Sequence, residues 1–274
     1  MTGEKPGVAV ITGASSGIGL AAAQEFARRG WTVALVGRDP GRLKAATDLV
    51  LACGAARPFQ CNFAVLDEVR ALGAELAREY PSIDVLANNA GGAFARRKTT
   101  VDGFELTIQV NHLAHFLLAH LLRDRLRGGR MINTSSAAHG NGDLDPDHLN
   151  GRGQGYRTFG VYGAAKQANI LFAAEAARRW PEILSTSYHP GVVRTRFGHD
   201  SVAVRLFYRF APGLRTPEQG ADTLLWLATA PPGELAPGGY YQDRRLRAPA
   251  SRAADPDTAA RLWAASLTAV GLTD

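Results

Sequence analysis

The stretch Thr12-Gly13-Ala14-Ser15-Ser16-Gly17-Ile18-Gly19 limits what this chain can fold into more than any other. Its glycines are spaced G-x-x-x-G-x-G. It follows an apolar run, Gly7-Val8-Ala9-Val10-Ile11-Thr12, that reads as a buried strand, and it opens a helix-like stretch from about Gly17 to Arg29. Glycine permits a tight strand-to-helix turn and a close backbone approach to phosphate, and the helix that follows points free N–H groups at an anion. Placed between a strand and a helix in the first βαβ unit, the pattern predicts a dinucleotide pyrophosphate site. No Gly-Lys-Ser/Thr follows, which excludes a P-loop. Gly13 to Gly17 also matches the G-x-S-x-G nucleophile elbow. That fold places several strands earlier, however, and only twelve residues precede Gly13 here.

Further strands are expected at Thr32–Val36, Pro58–Cys61, Ile83–Ala87, Arg130–Thr134 and Ile183–Tyr188. Asp39-Pro40 reads as a helix N-cap followed by proline at the first helical position. Long helices are expected at Val101–Leu126 and Tyr162–Trp180, and the Gly-, Asp- and Asn-rich stretch Gly140–Gly160 reads as a long loop. This alternation predicts an α/β fold, a doubly wound parallel sheet of the Rossmann type. The chain has 274 residues, 46% hydrophobic and 20% charged, and shows no repeat or linker, so one domain over 1–274 is expected.

The net charge of +6 comes almost wholly from arginine, since only four residues are lysine. The arginines are scattered, so no nucleic-acid partner is expected. Cys53 and Cys61 match no zinc or redox spacing and fit a reduced compartment. His112 and His115 lie three apart but lack a third ligand, so no metal is expected. No charged-then-apolar leader precedes Gly7, and no apolar stretch approaches the roughly 20 residues of a membrane span. A cytoplasmic protein without a membrane span is the expectation.

The second expected strand ends Val36-Gly37-Arg38-Asp39. An acidic residue here would grip the ribose hydroxyl of NAD, whereas an arginine would neutralise the 2′-phosphate of NADP. Arg38 comes first and Asp39 has other work as a cap, which favours NADP(H). Tyr162 and Lys166 are spaced i, i+4 on one helix face, where an ammonium favours the phenolate and makes tyrosine a usable acid or base. The fifth expected strand ends Asn133-Thr134-Ser135-Ser136, which puts Ser136 at a strand carboxyl end, where ligands bind in open α/β sheets.

In these motifs the chain resembles the short-chain dehydrogenase/reductase family. Thr12–Gly19 is similar to its cofactor fingerprint, Asn88-Asn89-Ala90-Gly91 to its fourth-strand motif, and Pro190-Gly191 with Thr195 to the segment that closes over nicotinamide. Val110-Asn111-His112-Leu113-Ala114-His115-Phe116-Leu117-Leu118, the insertion between Ser136 and Tyr162, His189-Pro190-Gly191 and the tail around Trp263 resemble the retinol-dehydrogenase-like branch. The third strand departs from the pattern, ending Cys61-Asn62 where the family usually has Asp; Asn62 can still hydrogen-bond adenine.

The resemblance implies cofactor contacts from Gly13, Ser15, Ser16, Gly17, Ile18 and Gly19 in the turn, and from Arg38, Asn62, Asn89, Ala90 and Gly91. It extends them to Tyr162, Lys166, Pro190, Gly191, Val193 and Thr195. It implies Asn111, Ser136, Tyr162 and Lys166 as the catalytic set, with Ser136, Tyr162 and His139 facing substrate. The implied activity is NADP(H)-dependent interconversion of a small apolar alcohol and its aldehyde or ketone. Alternatives are enone reduction, dehydration or epimerisation with the same cofactor, or a silent NADPH-binding regulator. Residues of about 196–215 are expected as a substrate lid, with a C-terminal tail from about 243 to 274. A homo-oligomer is among the states implied, since the two long helices often form interfaces in this family.

Overall fold

The computed structural model describes residues 6–150, 156–193 and 214–273. The strands are β1 (Val8–Thr12), β2 (Thr32–Gly37), β3 (Ala56–Gln60), β4 (Val85–Asn88), β5 (Arg130–Thr134), β6 (Leu184–His189), β7 (Tyr240–Gln242) and β8 (Arg245–Arg247). They form one sheet in the order β3-β2-β1-β4-β5-β6-β7-β8, parallel throughout except for the antiparallel β7–β8 pair. The expected Rossmann architecture is therefore present. The strand order reverses at β1 and β4, where Ile11 pairs with Ala87, and this switch point opens a crevice at the strand carboxyl ends.

The apolar runs are continuous because both faces of the sheet are covered. Val10, Ala34 and Leu86 belong to one core, and their neighbours Ile11, Leu35 and Ala87 to the other. Helices α1 (Gly17–Arg28) and α2 (Pro40–Leu51) cover the second face. On the first lie α3 (Leu66–Glu79), α5 (Ala114–Leu121) and α6 (Thr158–Arg179). Helix α7 (Pro217–Thr229) joins the α1 side and α8 (Pro256–Ala269) the α6 side. Asp39 caps α2 as expected, accepting from the Arg42 N–H at 2.8 Å with Pro40 next in line.

Three local features differ from the sequence expectations. The helix expected at Val101–Leu126 is shorter and broken. It starts at α4 (Leu106–Ile108), capped by the Glu105 carboxylate on the Ile108 N–H at 3.0 Å, and widens into a π-turn at Gln109–Leu113 before α5. The π-turn accompanies a buried side chain, Asn111, whose amide takes the Thr107 carbonyl at 2.8 Å. The expected long loop contains two 3-10 turns, Ala137–Asn141 and Pro146–His148, and α6 begins at Thr158, before Tyr162. The β7–β8 hairpin carries no sequence signal because its two-residue turn is Asp243-Arg244, both at positive φ (53° and 57°), where Asn-Gly would be usual. The Arg215 and Arg244 side chains pair with Asp243 and Asp222 respectively around this turn. Among the described residues no helix is long and apolar enough to cross a membrane.

Candidate active site

The glycine turn sits at the β1 carboxyl end. Gly13 has φ +68°, and a methyl group there would come 2.8 Å from the Ala90 Cα, so only glycine fits against the β4 exit. Thr12 makes this junction rigid. Its Oγ1 accepts from the N–H groups of Asn89 (2.8 Å) and Ala90 (2.9 Å), while the Asn89 amide donates to the Thr12 carbonyl at 2.9 Å. Helix α1 begins after Ser16, whose side chain makes no capping bond, and its first turn holds no acidic residue. Its leading N–H groups are thus left for an anion, with Ser15, Ser16, Gly17 and Ile18 partly exposed beside them. These residues fit a dinucleotide pyrophosphate.

Arg38 is exposed at the β2 end, and Ser15 packs on the adjacent Gly37, 3.3 Å from where a Gly37 methyl would lie. Asp39 is committed to Arg42, whose backbone hydrogen bond holds its carboxyl below the usual range. At the β3 end the Asn62 Oδ1 accepts from the Ala64 N–H at 3.2 Å, and the Asn62 N–H donates to Glu68 at 2.7 Å. Burial, with Glu68 nearby, pushes the Cys61 thiol up to about 12, which leaves it unreactive. Pro190 is buried and Gly191 has φ +82°. Val193 and Ile18 both pack on Gly220 of α7, so the segment after β6 lies beside the glycine turn. Thr195 lies outside the described residues, as do residues 196–213 of the expected lid.

Asn111, Lys166 and Gly91 meet at the β4 exit. Asn111 is fully buried; its amide donates to Gly92 O at 2.9 Å and its Oδ1 accepts from the Gly92 N–H at 3.2 Å. A methyl group on Gly91 would lie 3.3 Å from the Lys166 Nζ and closer still to the Asn111 Oδ1. Lys166 is buried and donates to the Thr134 carbonyl at 3.0 Å, with its Nζ 5.5 Å from the centre of the Tyr162 ring. Burial pulls the Lys166 ammonium down to about 7.

Ser136 follows β5. Its Oγ accepts from the Ala138 N–H at 3.2 Å, which leaves the hydroxyl proton to donate elsewhere. The 3-10 turn after it is pressed onto α6 beside Tyr162: a methyl on Gly163 would lie 2.5 Å from the Ala138 carbonyl and 2.9 Å from the Gly142 nitrogen. The structure thus brings Ser136, Tyr162, Lys166 and Asn111 to adjoining strand ends. His139 is 9% exposed, with both ring nitrogens engaged by backbone groups.

Other side chains here had weaker sequence signals. Neutral His115, pushed down to about 3 by burial, bridges Thr12 Oγ1 (3.0 Å) and the Asn111 carbonyl (3.1 Å). His112 turns away to Ser266 Oγ at 2.9 Å, so the pair shares no ligand position. Among the described residues no three metal-ligating side chains cluster. Phe159 is 57% exposed one helical turn before Tyr162, on the same face, and Val192, next to Gly191, is also exposed. An apolar residue at i−3 from Tyr162 was the available signal, but a helix carries many such residues.

A doubly wound sheet with a glycine turn at its switch point is the architecture of the dinucleotide-binding folds. Residues 7–204 match the model of the short chain dehydrogenase family. The chain is 56% identical over 272 residues to "Putative daunorubicin C-13 ketoreductase DnrU" of Streptomyces sp. (strain C5), covering 98% of this chain and 94% of that one. It is 37% identical to human "Retinol dehydrogenase 13", covering 96% and 84%. A solved structure of an uncharacterized protein from Mycobacterium Paratuberculosis superposes with a TM-score of 0.81 at 32% identity, covering 98% and 94%. The chain belongs to the short-chain dehydrogenase/reductase family, near its retinol-dehydrogenase-like branch, and is an oxidoreductase of the alcohol–carbonyl class. The family binds a nicotinamide dinucleotide, NAD or NADP.

Proposed function

We propose that this protein interconverts an apolar alcohol and its aldehyde or ketone with NADP(H), using Tyr162 as the acid/base. The observation that carries this is the buried Lys166 ammonium beside the Tyr162 ring, at the point where Asn111 and Gly91 also converge. In the reducing direction the Tyr162 hydroxyl gives its proton to the substrate oxygen, and Lys166 stabilises the phenolate left behind. Ser136, its oxygen already accepting from Ala138, donates its hydroxyl proton to the same substrate oxygen and stabilises the charge that builds there. Asn111 holds the Gly91–Gly92 backbone against Lys166 and is assigned the anchoring of a proton-relaying water. Hydride donation or acceptance at the carbonyl carbon is the chemistry that a bound nicotinamide dinucleotide would supply.

The glycine turn, Asn89, Ala90, Gly91, Pro190, Gly191, Val193 and Thr195 would hold the dinucleotide. Arg38 would meet its 2′-phosphate and Asn62 its adenine. Phe159 and Val192 offer apolar surface for a lipophilic substrate, in keeping with the ketoreductase and retinol dehydrogenase names of the relatives. A panel of lipophilic ketones, aldehydes and alcohols, followed at the reduced nicotinamide band with NADPH and NADH, tests the proposal. Tyr162→Phe should lower turnover by roughly 10²- to 10⁴-fold while NADPH still binds. Turnover surviving that change removes the mechanism, and preference for NADH removes the role of Arg38.

A further inference from the structure

His139 stands three residues after Ser136, inside the 3-10 turn Ala137–Asn141. Its Nδ1 lies 2.7 Å from the Ser136 carbonyl oxygen, which only accepts, so this nitrogen carries the proton. Its Nε2 accepts from the Ala250 N–H at 3.1 Å. The two partners together assign Nδ1 as the donor and Nε2 as the acceptor. The Tyr240 ring meets the imidazole edge-on, with centroids 5.1 Å apart, and closes its third side. On the other side of the turn, Gly142 and Gly163 press it onto α6 beside Tyr162.

We propose that His139 is a positioning residue: it transmits the placement of the C-terminal segment around Ala250 to the Ser136 backbone, and so sets where the serine hydroxyl meets the reacting oxygen. This rests on the alcohol–carbonyl reading of the site. The Ser136 main chain is gripped at its carbonyl by His139, and its side chain by the N–H of Ala138, in the same turn. Without the ring, that carbonyl keeps only the backbone N–H of residue 139, at 3.0 Å, and the turn loses its tie to Ala250 while retaining its own backbone bonds and the α6 contact. The segment near residue 250, distant in sequence, then belongs to the machinery that holds the oxygen.

The decisive variant is Ala250→Pro. Ala250 has φ −56°, which proline adopts, and the change replaces the N–H donor with a ring Cδ aimed at the His139 Nε2, so it breaks this hydrogen bond and displaces the imidazole from the C-terminal side. Expected is a fall in kcat of about tenfold, for large and small carbonyl substrates alike, with their KM and the NADPH dissociation constant within about twofold. His139→Ala should match or exceed that fall, and His139→Gln, whose amide both donates and accepts, should recover part of it. That ordering decides the matter should Ala250→Pro fail to fold. The tautomer gives a readout independent of turnover: side-chain ¹⁵N spectra of the wild-type protein should show His139 as the Nδ1–H form, and the Ala250→Pro variant should lose that single-tautomer signature. Wild-type kcat in folded Ala250→Pro, or an Nε2–H ring in the wild type, overturns the inference. So does a KM rise in His139→Ala confined to large substrates, since the ring is then a substrate contact. An enzyme inactive on every carbonyl, with the Nδ1–H ring in place, overturns the alcohol–carbonyl reading instead.

Discussion

The two sides of the site are built in different ways. The proposed nucleotide side centres on one stretch of chain, Gly13 to Gly19, which Thr12 ties to Asn89 and Ala90 just after β4. The chemical side is assembled from groups far apart in the chain. Lys166 donates to Thr134, the Ser136 turn packs on Gly163, and His139 reaches Ala250. A site whose main groups lie in one turn keeps their relative placement when other segments move, whereas a site that draws each group from a different segment shifts when any of them does. Substitutions on the first side should therefore act on cofactor affinity, and substitutions on the second on turnover.

The strongest way to break this contrast is Gly163→Ala. Its methyl group meets the Ala138 carbonyl at 2.5 Å and must push the Ser136 turn away from α6. Turnover should fall about 100-fold, while NADPH affinity, read by fluorescence titration, changes by less than about threefold. An affinity loss as large as the turnover loss would show that the two sides are not separable. Next in size, Arg38→Ala should raise the KM for NADPH about tenfold by removing the charge proposed to meet the 2′-phosphate, and leave that for NADH unchanged. Equal effects on both nucleotides would take Arg38 out of the site.

The smallest effect concerns stability in the cofactor-free protein. Lys166 is pulled down to about 7 in the folded chain, below its unfolded value. From pH 7 up toward that unfolded value, the unfolded chain holds a proton the folded one has lost, so stability rises with pH, by at most roughly 1.4 kcal/mol per unit. Below pH 7 both states are protonated and the burial cost is felt in full. Urea unfolding at pH 7, 8 and 9 should show this slope, and Lys166→Met should flatten it; an unchanged slope would mean the ammonium is better solvated than its burial indicates.

Legibility in the sequence follows the same division. Strands β1, β2 and β4 announce themselves because central strands buried on both faces need unbroken apolar runs, whereas β3, an edge strand with three of its five residues exposed, and β6, Leu-Ser-Thr-Ser-Tyr-His, are more weakly patterned. The glycine turn and the Asp39-Pro40 cap are legible because turn and cap chemistry is fixed within a few residues. The Tyr162–Lys166 pair is visible because helix geometry alone makes i and i+4 neighbours. The β7–β8 hairpin is not legible, since its Asp243-Arg244 turn is held by ion pairs with Arg215 and Asp222, two residues on or beside α7, and not by turn-forming residues. The π-turn at Asn111 is hidden for a similar reason: a helical pattern does not record a side chain that takes the Thr107 carbonyl and the Gly92 backbone.

By itself, then, the sequence determined the parallel α/β sheet, the glycine turn between β1 and α1, and the identities of Ser136, Tyr162 and Lys166 as residues at strand ends or on one helix face. Each of these depends on spacing within a strand, a turn or one helix. Tertiary structure alone decided that Lys166 is buried against Thr134, that the Ser136 turn lies on Gly163, and that His139 spends both nitrogens on Ser136 and Ala250. Those outcomes depend on which distant N–H or carbonyl the packed sheet and helices bring within 3 Å, and no local pattern encodes that.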